Sequence, residues 1–260
     1  MNKNMAHYSF NEAWLLTLDK IIEDGARVSP RGIPTKEILQ HTVSVDMRRP
    51  VLTMKERSLS YKFMAAEAYW ILSGDDTVAG IAPWNSRIAN FSDDGERFFG
   101  AYGPKIQAQL PYVIEKLKND KDSRQAGLTI WRETPPATKD VPCTVAIFAN
   151  IRFGLLNVGV FMRSSDVWLG LPYDVFNFSM LGHLICAHLG DVQPGCLYLT
   201  AFSSHLYESN FVDALACSTM PFGDPYKMTP PELYKDPESL MATLKALRDS
   251  RPGEAIRWWE

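Results

Sequence analysis

The sequence has no internal repeat, no low-complexity tract and no stretch that reads as a linker. It also has little excess charge: 27 Lys and Arg against 30 Asp and Glu leave a formal net charge of −3. That balance gives no general attraction for nucleic acid or an anionic membrane, and neither is expected as a partner. An anionic small substrate would need arginines gathered locally. The longest apolar stretch lies within residues 171–189 and is interrupted by Asp174, Asn177, His183 and His188, too polar to span a bilayer. Residues 1–7 contain no apolar h-region, so no secretory signal is expected. Cysteine is sparse. Cys143, Cys186, Cys196 and Cys217 are widely spaced without a C-x-x-C, which argues against a zinc ribbon or a thioredoxin-like motif. No metal site is expected, and free thiols fit a cytoplasmic protein. Pro and Gly, at 17 and 16 residues, are too few for a disordered or fibrous chain.

What is present is an ordinary globular balance, 46% hydrophobic and 22% charged over 260 residues, enough for a sizeable core without staples. We read residues 1–260 as a single domain. Ser9-Phe10-Asn11-Glu12 is a capping box, and Trp14, Leu15, Leu18, Ile21 and Ile22 follow at helical spacing up to Gly25. A second helix is expected over 61–73, where Phe63, Met64, Tyr69 and Trp70 surround the lone carboxylate Glu67. Pro104 opens a third. Residues 126–131, 143–152 and 155–163 read as strands, the last two joined through Phe153-Gly154 as a hairpin or near-hairpin. Pro172 opens an apolar helix running to Leu189, a strand follows at 196–203, and a short helix is expected near 238–248. Without a repeating βαβ rhythm, the mixture indicates an α+β fold.

One string is unusually informative: Met162-Arg163-Ser164-Ser165-Asp166-Val167-Trp168-Leu169-Gly170-Leu171-Pro172-Tyr173-Asp174. A strand-to-helix corner with solvated polar residues accounts for Asp166 or Asp174 singly. The whole string resembles the R-S-x-D-x-x-L-G-L-P-[FY]-[ND] signature of the thymidylate synthase superfamily. Further motifs follow that family's order. Ser29-Pro30-Arg31-Gly32 resembles its phosphate-binding Arg loop, Pro50 to Lys55 its P-L-x-T-x-K, and Glu67 to Gly74 its E-L-x-W-x-L-x-G. Gly100-Ala101-Tyr102-Gly103 matches G-x-Y-G, Asp122-Ser123-Arg124 matches D-S-R, and Pro142-Cys143 matches the Pro-Cys of the nucleophile. Ser204 to Tyr207 is similar to D-x-H-x-Y, with Ser203 in place of the Asp.

The resemblance implies a mixed sheet with helices packed on it, dimerising through the sheet. It implies a pyrimidine nucleoside monophosphate and 5,10-methylenetetrahydrofolate as substrates, with Cys143, Glu67, Tyr102 and Asp174 catalytic. Arg31, Arg163 and Ser164 are implied at the phosphate, joined by Arg124 from a second copy of the chain. Gln125 replaces the family's usual second arginine in that clamp. His205 and Tyr207 are implied at the sugar, and Asp166 at the folate. The chemistry agrees: C5 of a pyrimidine is a poor nucleophile until a soft group such as a thiolate adds at C6. An inert buried thiol remains the reading for Cys186, Cys196 and Cys217. For His205 and Tyr207 plain packing is the alternative, and for Glu67 a misjudged helix phase.

Three departures from the synthase pattern favour the deoxycytidylate hydroxymethylases of bacteriophages. Asp174 stands where synthases have Asn, and a carboxyl accepts from the cytosine amino group and, when protonated, donates to N3. Thr144 follows the nucleophile where synthases have His. Asp140, three residues before Cys143, replaces an apolar residue and is placed to order water, although it also reads as a plain loop residue beside Lys139. Residues 86–92 carry no clear counterpart of the folate-stacking aromatic pair, and the C-terminal Ile256-Arg257-Trp258-Trp259-Glu260 is not a small apolar tail. The expected reaction is addition of a one-carbon unit and water to dCMP, in a homodimer in the cytoplasm, the host's if the source is viral. A dTMP- or 5-methyl-dCMP-forming methyltransferase, a CMP hydroxymethylase and an inactive nucleotide-binding regulator stay open.

Overall fold

The computed structural model describes residues 9–218 and 235–250. Helix α1 (Phe10–Asp24) begins at the capping box: the Ser9 hydroxyl accepts from Glu12 N–H at 3.3 Å, and the Glu12 carboxylate accepts from Ser9 N–H at 2.9 Å. Such a cap stabilises a helix by about 1 kcal/mol. Helix α2 (Tyr61–Leu72) carries Glu67, and a single-turn helix α3 (Val78–Ile81) follows. Helix α4 (Gly103–Asn119) starts just after the G-x-Y-G turn.

Six strands form one sheet in the order β1-β2-β6-β5-β4-β3, where β1 is Ala26–Val28, β2 Thr35–Asp46, β3 Gly127–Thr129, β4 Thr144–Arg152, β5 Leu155–Asp166 and β6 Gln193–Tyr207. All neighbours are antiparallel except β5 and β6. A parallel pair needs a crossover, and helix α5 (Leu171–Leu189) supplies it. The β4–β5 hairpin turns on Phe153 (φ 56°) and Gly154 (φ 75°), the two positive-φ residues that a type I′ turn requires. Helices α6 (Phe211–Ser218) and α7 (Pro237–Asp249) complete the described chain, and α7 packs against α2.

Helices α1, α4 and α5 pack on one sheet face. There Ile147, Ala149, Val158, Val160, Leu197 and Leu199 alternate inward along β4, β5 and β6 and are buried. Helix α5 is buried along nearly its whole length. Its Asn177, Ser179 and His183 are therefore interior polar groups rather than a solvated face. No described helix is long and apolar enough to cross a membrane.

The expected elements all occur, with shifted ends. Cys143 falls one residue before β4 instead of on it, since Pro142 has no N–H with which to continue the ladder. Strands β1 and β2 were not legible, and neither were α3 and α6. The Pro-rich segment after residue 221 and the Trp258-Trp259-Glu260 end lie outside the described residues.

Candidate active site

A cavity of about 180 Å³, open to solvent, lies between α2, the turn before α4, the loop before β4 and the first turns of α5. Glu67, Tyr102, Asp140, Cys143, Asp174 and Asn177 all line it, with apolar walls from Ile71, Ile88, Phe91, Phe98 and Val141. This mixture of apolar wall and few polar groups suits a small organic ligand.

The loop bearing Cys143 is tied in place. Asp140 Oδ2 accepts from Gly100 N–H at 2.6 Å. A Cβ at Gly100 would stand 2.4 Å from the Asp140 carbonyl oxygen, so this approach admits only glycine. Burial raises the Asp140 pKa, while the Gly100 N–H and Lys105 pull it back. The Tyr102 hydroxyl accepts from Thr144 N–H at 3.3 Å, pinning the residue after the thiol. Burial and the nearby Asp174 and Cys143 raise the Tyr102 pKa, so the phenol keeps its proton.

Two further carboxyls share the cavity with Asp140. Burial pushes Glu67 up to about 7, against the opposing pull of Asn177, whose Nδ2 donates to Glu67 Oε2 at 2.7 Å. Asp174 lies well above the usual carboxylate range, through burial first and then the proximity of Glu67 and Asp166. A carboxyl near neutrality is poised to take or give a proton, and a more strongly raised one favours its neutral form.

Burial likewise raises the Cys143 thiol pKa, while Arg163 and a hydrogen bond from Ser164 Oγ at 3.8 Å lower it. Burial outweighs the pull of Arg163. Its guanidinium donates to Pro142 O at 3.0 Å, Val141 O at 2.9 Å and Ser164 Oγ at 3.2 Å, so it clasps the nucleophile loop.

The remaining expected residues stand apart from this cavity. Arg31 is exposed on a 3₁₀ turn between β1 and β2, with φ 54°. Arg124 lines a separate surface depression with Lys116, Asp122 and Gln125. His205 and Tyr207 sit at the end of β6, their rings 5.2 Å apart edge to face. Asp166 is the register partner of His205 across β5 and β6. Its Oδ1 accepts from Trp168 N–H and Leu169 N–H, each at 2.9 Å, so it caps the strand-to-helix corner. Ser203, in the family's Asp position, donates to Glu37 Oε2 at 2.5 Å.

Two residues escaped the sequence reading. Asn177 looked like one of several interruptions of an apolar helix, although its i+3 spacing from Asp174 places both on one face. Arg57 reaches Trp168 O with Nε at 2.9 Å and Nη2 at 2.5 Å, its guanidinium 4.7 Å from the Trp168 ring, so it braces the signature loop from outside. Trp84, just ahead of the segment searched for folate-stacking aromatics, donates to Arg248 O at 3.2 Å and lies against the Arg248 guanidinium.

A half-buried thiol that shares a cavity with carboxyls whose pKa values burial raises, on an α+β scaffold with one parallel strand pair, defines a candidate cysteine-nucleophile site. The profile described as Thymidylate synthase matches residues 12–220, and the chain belongs to that family. It is similar to a protein named deoxyuridylate hydroxymethyltransferase from Bacillus phage SP01, 30% identical over 217 residues, covering 75% of this chain and 56% of that protein. A protein of the same name from Pseudomonas phage M6 is 30% identical over 197 residues, covering 71% of this chain and 56% of its own length. The chain thus spans a little over half the length of each of these relatives.

Proposed function

We propose that the chain is a folate-dependent hydroxymethylase that acts on C5 of dCMP and gives 5-hydroxymethyl-dCMP. The observation that carries this is the convergence of Cys143, Glu67, Asp174 and Asn177 on one cavity. The names of the two phage relatives support hydroxymethyl transfer as the reaction type. In this reading Cys143 adds as thiolate to C6, which makes C5 nucleophilic, and departs at the end to restore the ring double bond. Asp174 holds the base edge. Glu67 removes a proton from the water that adds to the C5 methylene.

Ile88, Val141 and the half-exposed Phe91 give the cavity mouth an apolar wall that fits a flat pterin. Methylenetetrahydrofolate supplies the one-carbon unit when bound. Asp140 brings a carboxyl to the same cavity, where an apolar residue would repel water, and Asp166 is assigned a second folate contact. Arg31, Arg163 and Ser164 hold the phosphate, and His205 and Tyr207 the sugar. Arg124 joins them from a second copy. The protein acts as a homodimer in a reducing cytoplasm, where Cys143, Cys186, Cys196 and Cys217 stay free thiols, as they are here.

A second reading, dUMP as substrate, rests on Asp174 itself. A neutral carboxyl offers one donor and one acceptor and so pairs with uracil as well as with cytosine. The relatives' names favour this reading too. Incubation with methylenetetrahydrofolate and dCMP, CMP or dUMP, followed by weighing the nucleotide product, tests the proposal. A hydroxymethyl adduct on dCMP supports it; a methyl adduct, or turnover of dUMP alone, sinks it.

A further inference from the structure

Glu67 has a fixed companion. Asn177 is buried at 4% exposure on α5 among Val175, Phe176 and Phe178, and it lines the cavity. Its Nδ2 is spent on Glu67 Oε2 at 2.7 Å. Its Oδ1 is buried without a hydrogen-bond partner among the described residues. Leaving a buried amide oxygen unpaired costs about 1–3 kcal/mol, and an apolar residue at this helix position would avoid that cost. The arrangement makes sense if Oδ1 accepts from a group that enters the cavity.

We propose that Asn177 is a positioning residue for the water that adds to the C5 methylene, Oδ1 accepting one of its hydrogens while Nδ2 holds Glu67 in register. This rests on the hydroxymethylase reading. Because Asn177 occupies Glu67 Oε2, the other hydrogen is directed to Oε1. In the step, the water oxygen bonds to the methylene carbon and the methylene π pair moves into the ring. The water proton passes to Glu67. The ring pair then re-forms the C5–C6 double bond and expels the Cys143 thiolate. No oxidant or reductant is needed.

The test compares two half-reactions in wild type, Asn177→Ala and Asn177→Ser: tritium release from C5-labelled nucleotide, which reports methylene formation, and yield of hydroxymethyl nucleotide. For Asn177→Ala we expect tritium release within about threefold of wild type and product formation lower by about 10²-fold, the size of a lost acid–base contribution. The acidic limb of its pH–rate profile should move to higher pH, since the one group that pulls Glu67 down is gone. Asn177→Ser, whose hydroxyl both donates and accepts, should recover part of the product. An unchanged ratio of product to tritium overturns the proposal. So does a parallel loss of both half-reactions in Ala and Ser with the pH limb unmoved, which marks a merely structural role. A KM rise confined to dCMP also overturns it, since Oδ1 then reads the base amino group. Wild type that yields methylated nucleotide overturns the hydroxymethylase reading itself, and the water role with it, before any variant is made.

Discussion

Phe148 and Phe161 meet edge to face, ring centroids 6.2 Å apart, on the sheet face that the helices leave open. They are 47% and 50% exposed, and Phe202 on the adjoining strand is 59% exposed. Aromatic side chains gathered on one open face mark an interaction surface. A second copy seated there would bury them. Phe161→Asp should therefore convert a dimer to monomer in sedimentation and lower activity, with little change in monomer fold. A wild-type monomer at micromolar concentration would falsify this assembly.

The nucleophile assignment separates Cys143 from the other thiols. Cys143 is half-buried at the cavity, whereas Cys186, Cys196 and Cys217 are buried in the core. Cys143→Ala should lower tritium release from C5-labelled nucleotide by at least about 10³-fold. Ala at the other three positions should cost about 0.5–3 kcal/mol of stability and leave that release intact. Substantial release from Cys143→Ala removes the covalent mechanism.

Base choice is read at Asp174. Asp174→Asn should shift the ratio of kcat/KM toward dUMP by about 10²-fold or more, because a fixed amide matches uracil and mismatches cytosine. A wild-type preference for dUMP that the substitution does not move contradicts this role.

Glu67 links activity to stability. Its folded pKa, about 7, exceeds the ordinary 4.5, so the native state holds this proton longer than the unfolded chain does. The stability it contributes is fully present below pH 4.5 and is lost as pH rises through 7, a difference on the order of 3 kcal/mol. Glu67→Gln should melt higher than wild type at pH 8, match it at pH 4.5, and lose about 10²- to 10⁴-fold in turnover. A melting difference independent of pH would show that this carboxyl is not held protonated.

Much of the scaffold was legible because its signals are local. The Ser9 capping box, the Phe153-Gly154 turn and the Pro172 start of α5 each need only neighbouring residues. Strand β2 was not legible, since Gln40 at φ 51° interrupts its alternation and Leu39 is exposed where a core residue would be expected. In the site, Cys143, Glu67, Tyr102, Asp140 and Asp174 meet at the cavity. Arg163 and Ser164 reach the Cys143 loop, whereas Arg31, Arg124, His205 and Tyr207 do not line the cavity. Asn177 and Arg57 were hidden because their roles depend on contacts 110 and 111 residues away along the chain, which no local spacing encodes.

The choice between water and hydride as the final acceptor is tested most directly by the oxidation state of the folate product. Hydride transfer to the C5 methylene must leave dihydrofolate, whereas addition of water ordered by Glu67, with Asp140 beside it, leaves tetrahydrofolate. In a reaction with dCMP run to completion, absorbance and chromatography of the folate pool should show tetrahydrofolate alone, in proportion to hydroxymethyl nucleotide. Stoichiometric dihydrofolate with a methylated nucleotide would contradict the hydroxymethylase assignment, while leaving the fold and the Cys143 nucleophile in place.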